Sequence, residues 1–471
     1  MNIKLAKKEI IHFIGIDGIG MSGLALIMKG QGFKVQGSDI LSNKNIDRLK
    51  KEKIRIYLDQ SSKNLKNATI VVISSAIKKN NPELVEAKRR KISIIKRGEM
   101  LASIVSLLKN IVVVGSHGKT TTTSIISSIL EHSKLDPTIL SGGIINSLKI
   151  NAKLGKGEWI VAEADESDGS FVTLPSTIGV INNIDYEHVD FYPNIKSLKK
   201  SFIEYANKIP FYGFIALGID DKNVLEVKKK LLAKKTITYG LSSKANFSAT
   251  NIRTILKNGN FWTKFDLIEN LKKRKILKNF NCQLLGKHNV QNILASITVS
   301  RGLNISYANI KNALKHFQGV KRRFSILYKT KKNIIIDDYA HHPKEISVTL
   351  EALKQITRKK IIAVFEPHRY SRLSEMMNEF MKSLKISDKI FILPVYSAGE
   401  KKSKIDSYFF YLKLKKKFKT KSIFFYKNEK IFFDQLLQTM TNGNNIIFLG
   451  AGLSSKIANK FCDFFLKNKN V

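Results

Sequence analysis

Residues 109–133, KNIVVVGSHGKTTTTSIISSILEHS, constrain this chain more than any other stretch. Ile111–Val114 is a short apolar, β-branched run, the composition of a buried strand. Gly115-Ser116-His117-Gly118-Lys119-Thr120 then turns the chain. Ile125, Ile126, Ile129 and Leu130 recur at helical spacing, which predicts a helix from about Thr120–Thr121. Strand, glycine loop, Lys-Thr and helix in that order are the parts of a phosphate-binding loop. Gly115 and Gly118 let backbone N–H groups face an anion without Cβ interference, and the helix N-terminus adds partial positive charge. Lys119 can reach the β- and γ-phosphates of a nucleotide, and the Thr120 hydroxyl can bind Mg²⁺. The usual pattern, G-x-x-x-x-G-K-S/T, has a glycine where this chain has Val113, so the loop is a compact G-x-x-G-K-T variant.

A second strand–glycine–helix unit opens the chain. Ile10–Ile14 predicts a strand, Gly15-Ile16-Asp17-Gly18-Ile19-Gly20 a turn and Met21–Lys29 a helix. Asp39 follows about 20 residues past the turn, where a dinucleotide-binding unit carries its ribose-binding acid. The G-x-G-x-x-G fingerprint is incomplete, because Asp17 stands where a glycine is needed. An acid beside a pyrophosphate is unfavourable unless it points away. The unit therefore indicates a nucleotide-like ligand, and a nicotinamide cofactor less well. Ile54–Leu58, Thr69–Ile73 and Ile92–Lys96 alternate with polar or helical sequence, which predicts a parallel sheet. Ser74 and Ser75 directly follow a strand, a position equally suited to ligand contact and to helix capping.

Trp159–Ala162 predicts the next strand of the central unit, and it ends in Glu163-Ala164-Asp165-Glu166-Ser167-Asp168. Four acids so close together are costly without a cation, and Mg²⁺ suits carboxylates combined with phosphate oxygens. Ile178–Asn182 is a further strand, followed within a few residues by His188, a second candidate metal ligand. Residues 211–280 are Lys-rich with short strands and predict a peripheral sheet without chemistry. Asn289 and Asn292 share one helix face, suited to a base or ribose.

After a boundary at Gly319-Val320-Lys321-Arg322-Arg323-Phe324 the α/β rhythm restarts. Strands at Ile334–Ile336, Ile361–Phe365, Ile390–Leu393 and Ile446–Leu449 run into DDYAHHP, EPHRYSR, PVYSAGE and GAG. Pro343 fits the first turn of a helix. Every polar cluster follows a strand, so these clusters should lie along one edge of one sheet.

Lys and Arg number 81 against 38 Asp and Glu, a formal charge of +43. Such an excess favours polyanions. The lysines are spread along the chain rather than gathered in a stripe with aromatics, so they read as solvated surface and no nucleic-acid partner is expected. Cys282 and Cys462 suggest neither a disulfide framework nor a metal knuckle, which favours a reducing cytoplasm. No apolar run approaches the roughly 20 residues of a membrane span, so no membrane insertion is expected.

Together, IHFIGIDGIGMSG, GSHGKTTTT, EADESDGSF, NIDYEHVD, GKHNVQN, GVKRRF, DDYAHHP, PHRYSR and the final GAG resemble the Mur ligase family in order and spacing, from about residue 10 to about 460. The resemblance implies an α/β chain of three domains. These are an N-terminal Rossmann-like domain holding a UDP-sugar (1–108), a central P-loop ATPase domain with a mainly parallel sheet (109–319) and a C-terminal Rossmann-like amino-acid domain (320–471). It implies ATP and Mg²⁺ as cofactors, UDP-N-acetylmuramate and L-alanine as substrates, and a monomer or homodimer. Activation would pass through an acyl phosphate and needs no Cys–His or Ser–His nucleophile. By similarity, Lys119, Glu163 and His188 are catalytic, with Thr120, Glu163 and His188 as metal ligands. Gly115, Ser116, His117, Gly118, Lys119, Thr120, Thr121, Asn289, Asn292 and Arg323 contact ATP. Gly18, Gly20, Met21, Ser22, Asp39, Ser74 and Ser75 contact the UDP-sugar, and Tyr339, His341, Arg369 and Arg372 surround the alanine. Asp17 departs from the family's glycine in the first loop.

Overall fold

A computed structural model describes residues 8–40, 44–74, 76–186, 191–232, 235–440 and 443–468. The first sheet is built from β1 (Ile10–Ile14), β2 (Lys34–Ser38), β3 (Arg55–Tyr57), β4 (Ile70–Ile73) and β5 (Ser93–Lys96). All its pairs are parallel, in the order β3-β2-β1-β4-β5. Helices α1 (Ile19–Gly30), α2 (Lys44–Lys51), α3 (Pro82–Arg89) and α4 (Arg97–Val105) cover it. The strand order reverses at β1/β4, which opens a crevice at the carboxyl ends of those strands, where α/β sheets bind ligands.

The central region follows with β6 (Lys109–Val114), α5 (Lys119–His132), β7 (Thr138–Ile145), β8 (Ile150–Lys153), β9 (Trp159–Glu163), β10 (Ile178–Ile181), α6 (Ile195–Asn207), β11 (Phe214–Gly218), α7 (Lys222–Lys228), β12 (Thr236–Gly240), β13 (Phe247–Lys257), β14 (Asn260–Glu269), β15 (Lys275–Cys282), α8 (Lys287–Gly302) and α9 (Tyr307–His316). The sheet order is β15-β14-β13-β12-β11-β10-β6-β9-β7-β8. β6 lies between β9 and β10, parallel to both. The loops after those two strands therefore flank the turn at residues 115–120.

The C-terminal sheet contains β16 (Ser325–Lys329), β17 (Ile334–Asp338), β18 (Ile361–Phe365), β19 (Lys389–Ile392), β20 (Ser422–Phe425) and β21 (Asn445–Leu449), in the order β16-β17-β21-β18-β19-β20. Only β16 is antiparallel to its neighbour. Helices α10 (Pro343–Ile356), α11 (Tyr370–Glu375), α12 (Met377–Ser383), α13 (Ser407–Lys417), α14 (Glu429–Met440) and α15 (Ser454–Lys467) pack on it. As the sequence pattern required, the clusters after β17, β18, β19 and β21 share one sheet edge. Pro343 opens α10, with the His342 side chain accepting from Lys344 N–H.

The chain divides into two compact units, 1–252 with 264–282 and 289–318, and 253–263 with 283–288 and 319–471. In the first, the N-terminal and central sheets share one apolar core in which Met21, Leu24 and Ile27 of α1 join Val112, Leu140 and Ala152. Arg48 ties the two regions by donating to Asn151 Oδ1 at 2.6 Å and to the Ala152 carbonyl at 2.7 Å. Among the described residues, no helix is long and apolar enough to cross a membrane.

Candidate active site

The turn from β6 into α5 places Gly115 at φ +131° and Gly118 at φ +78°, the second in the left-handed region that glycine enters at no steric cost. Gly118 is also a close approach, since a Cβ there would lie 2.4 Å from Asn292 Oδ1. Asn183 fixes the loop by accepting His117 N–H at 2.8 Å, and its own amide donates to the His117 carbonyl at 3.1 Å. Asp185 N–H donates to Ser116 Oγ at 2.9 Å, and its carboxylate lies 2.8 Å from His117 Nε2. Thr121 is buried, and Thr122 Oγ bonds Asn292 Oδ1 at 3.2 Å. Asn292 in turn donates to Asn289 Oδ1 at 3.1 Å. Both asparagines are buried, and Asn292 ties α8 to α5 through Thr122.

Lys119 Nζ folds back on its own loop. It donates to the Gly115 carbonyl at 2.6 Å and to Glu166 Oε2 at 2.8 Å. Thr120 Oγ donates to Glu163 Oε2 at 2.8 Å. The four acids at the end of β9 and in the loop after it do not converge on one point. Glu163 faces Thr120, Glu166 faces Lys119, Asp165 lies 3.8 Å from Arg97 Nη2, and Asp168 accepts Ser170 N–H at 3.0 Å. Protein cations thus relieve part of the repulsion that the sequence alone assigns to a metal ion. Among the described residues, no group of three His, Cys, Asp or Glu side chains could hold a metal by itself. The Thr120–Glu163 pair still suits Mg²⁺, a hard cation completed by phosphate oxygens and water. Gly142 leaves room for that pair, because a Cβ there would lie 1.9 Å from Glu163 Oε1. His188 lies outside the described residues.

At the N-terminal turn, Asp39 Oδ2 accepts the Asp17 N–H at 3.0 Å. Met21 and Ser22 are buried, Met21 in the apolar core and Ser22 Oγ on the Ile19 carbonyl at 3.1 Å. The Ser22 N–H donates to the Gly18 carbonyl at 2.8 Å, so what this turn offers a ligand is backbone at Gly20 and Met21, in the first turn of α1. Ser74 directly follows β4, and Ser75 lies outside the described residues.

In the second unit, the expected alanine-site residues form an aromatic and cationic cluster. Tyr339 and His341 meet edge to face at 5.2 Å, and the His341 ring lies 5.2 Å from His368. Tyr396 stacks on His368 at 5.5 Å, and Arg372 Nη1 lies 3.2 Å from His368 Nδ1. Arg369 adopts φ +67°, a strained conformation held by its N–H bond to the Tyr396 carbonyl at 2.9 Å. Arg323 lies 5.1 Å over the Tyr339 ring and 3.8 Å from Glu345. Burial holds His341 at a pKa of about 4 and His368 at about 3, so both rings are neutral near pH 7. The His341 Nδ1–H donates to the Tyr339 carbonyl at 3.0 Å, leaving Nε2 as an acceptor. Burial also pushes Asp338 up to about 6, although it accepts N–H bonds from Phe324 and Ala340.

Three family models match in succession: "Mur ligase family, catalytic domain" over residues 10–108, "Mur ligase middle domain" over 113–300, and "Mur ligase, glutamate ligase domain" over 322–452. The chain belongs to the Mur ligase family. Among similar Mur ligases, the UDP-N-acetylmuramate–L-alanine ligase of Pelagibacter ubique is 52% identical over 404 residues, covering 85% of this chain and 86% of that one. The enzyme of the same name from Rickettsia bellii is 42% identical over 470 residues, covering 96% and 95%. The crystal structure of the UDP-N-acetylmuramate-alanine ligase of Thermotoga maritima superposes with a TM-score of 0.81 at 26% identity, covering 97% and 99%. A murein peptide ligase from Psychrobacter arcticus shares the fold, with a TM-score of 0.71 at 20% identity over 97% and 98% of the two chains.

Several side chains at these sites carried no role in the sequence reading. His368, Tyr396 and Glu400 all follow strands, which was the available signal, whereas Glu166, one of the four acids expected at a cation, faces Lys119. Glu400 accepts both the N–H and the hydroxyl of Ser371, at 3.1 and 2.6 Å. Gly142 lies inside β7, and nothing in the sequence links it to Glu163.

Proposed function

We propose that this chain joins the lactyl carboxylate of UDP-N-acetylmuramate to the amino group of L-alanine, at the expense of ATP. The carboxylate attacks the γ-phosphate to give an acyl phosphate and ADP. The alanine amine then displaces phosphate through a tetrahedral intermediate. The product is a peptidoglycan precursor, which connects the enzyme to cell-wall synthesis, cell shape and division, and to a cytoplasmic location. The observation that carries this reading is the Lys119–Thr120 loop beside Glu163 in a chain of this family.

The protein's task is to bring anionic reactants together and to neutralise developing charge. Lys119 exchanges Glu166 and the Gly115 carbonyl for the transferring phosphoryl group. Ser116, His117, Gly118 and Thr121 frame the phosphates, with Asn289, Asn292 and Arg323 assigned to the nucleotide. Thr120 and Glu163 would hold Mg²⁺, with His188 at a second position, and the cation would offset phosphate charge. The α1 N-terminus, with Asp39, Ser74 and Ser75, is assigned to the UDP-sugar. In the C-terminal cluster, Arg369 or Arg372 pairs the alanine carboxylate, and neutral His341 Nε2 accepts from its nitrogen. We place the domain limits at 1–108, 109–319 and 320–471, in a monomer or homodimer.

The test is phosphate release from ATP and Mg²⁺ with UDP-N-acetylmuramate, with and without L-alanine. Release that requires both, with a UDP-muramoyl-alanine product by mass, supports the reading. Release independent of either, or activity only with a preformed peptide in place of alanine, refutes it.

A further inference from the structure

Arg97 is the first residue of α4 and stands at the carboxyl end of β5. Its backbone is closely fixed. Glu99 Oε2 accepts the Lys96 N–H at 3.0 Å and closes the first turn. A Cβ on Gly98 would lie 2.6 Å from Ser170 Cβ, so this turn is pressed against residues 170–173, just after the acidic loop. The guanidinium then projects over the N-terminus of α1. Its Nη1 would lie 3.4 Å from a Cβ on Gly20, and its Nη2 lies 3.8 Å from Asp165 Oδ2. One cation thus adjoins both the glycine turn of the first sheet and the acidic loop beside Lys119.

Tying the two sheets together is the plainer role for such a residue, and the geometry makes it a poor tie. At 3.8 Å the contact with Asp165 is longer than a hydrogen bond, and the two side chains are 26% and 44% exposed. Pairs of this kind contribute little to stability. A guanidinium presents a planar fork that matches a carboxylate. In the proposed reaction one anion must pass from the α1 N-terminus toward Lys119, and it must approach a phosphate of like charge. That anion is the lactyl carboxylate.

We propose that Arg97 binds the lactyl carboxylate and thereby selects UDP-N-acetylmuramate over the same sugar nucleotide without a lactyl group. This inference rests on the ligase reading. The test is binding calorimetry on the full chain with UDP-N-acetylmuramate and with UDP-N-acetylglucosamine, for the parent, Arg97→Met and Arg97→Lys. Arg97→Met is expected to weaken the muramate nucleotide about 10- to 100-fold, the loss of a charge-assisted hydrogen-bond pair, and to leave the glucosamine nucleotide within about twofold. The KM for ATP stays within about twofold, and Arg97→Lys recovers part of the loss. Equal weakening of both nucleotides overturns the proposal, because it places Arg97 on the diphosphate. No change in either overturns it in favour of the tie. If Arg97→Met does not fold by circular dichroism, Arg97→Lys decides the matter, since it keeps the charge and loses the fork. It must then weaken the muramate nucleotide alone. A parent chain that binds neither nucleotide overturns the ligase reading itself.

Discussion

Gly142→Ala tests the metal-binding assignment through a residue that has no ligand atom. Gly142 is not in the left-handed region, so alanine fits its backbone. The added Cβ would lie 1.9 Å from Glu163 Oε1, 3.0 Å from Glu163 Cδ and 3.4 Å from Thr120 Oγ. To regain ordinary contact the carboxylate must retreat by about 1.5 Å, from 1.9 Å to 3.4 Å. That breaks the 2.8 Å bond between Thr120 and Glu163. Only the end of a flexible side chain has to move, so the cost to the fold falls below the ~1–3 kcal/mol of true core overpacking. Misplacing a metal-binding carboxylate costs far more in function. Disturbing the support of a ligand typically costs about 10- to 100-fold in metal affinity or activity, equivalent to ~1.4–2.7 kcal/mol. Phosphate release measured against Mg²⁺ concentration should show the half-saturation point raised by that factor, with a native circular-dichroism spectrum. A folded Gly142→Ala enzyme with unchanged Mg²⁺ half-saturation and unchanged kcat would refute the assignment of Glu163 and Thr120.

Lys119→Ala should abolish phosphate release while the chain stays folded. Glu166 loses its buried partner at the same time, so melting should show destabilisation of up to about 3 kcal/mol, and near-normal turnover would sink the central-loop assignment. His188→Ala should lower kcat far more than it raises the KM for ATP, and the reverse pattern would remove His188 from the metal. Acid should weaken the C-terminal unit through its histidines. His341 is held at about 4 against an ordinary value near 6.5, so the unfolded chain takes up the proton first. The neutral ring's stabilisation is complete above pH 6.5 and is lost as the pH falls toward 4, at most about 3.4 kcal/mol. The urea midpoint should therefore fall less in His341→Asn than in the parent between pH 7 and pH 4, and equal falls would refute this account.

The strands with chemistry at their ends were legible because buried parallel strands are short, continuous apolar runs. Ile361–Phe365 was read to the residue, and Ile111–Val114 within two residues of β6. β7 was not legible, since Ser141-Gly142-Gly143 interrupts its apolar pattern with residues of low strand propensity. The strand survives because β8 and β9 pair with it on either side, a tertiary cause that no local pattern carries. The candidate site shows the same division. Lys119 and Thr120 declare themselves by spacing. The pairing of Lys119 with Glu166 and of Thr120 with Glu163 depends on β9 lying next to β6, which is decided by sheet order. Arg97 carried no signal at all, because nothing in its local sequence says that α4 begins against residues 170–173.

Asp17 shows why a broken motif has to be read property by property. Glycine is required in a turn either for a positive φ or for a close approach. In the first turn the positive φ falls on Gly15, at +77°, and Asp17 is not among the residues with positive φ. The Asp17 backbone is fully used in that conformation, its N–H on Asp39 and its carbonyl accepting from Asn45 Nδ2 at 2.8 Å. The substitution therefore carries no backbone strain, and what remains is charge. Asp17 and Asp39 place two acids at a turn whose helix N-terminus attracts anions. A diphosphate bound there has to gain more from the α1 N–H groups than it loses to those acids. Arg97, over Gly20, is then left for the lactyl carboxylate, so its removal should weaken the muramate nucleotide and spare the glucosamine one even with Asp17 in the turn.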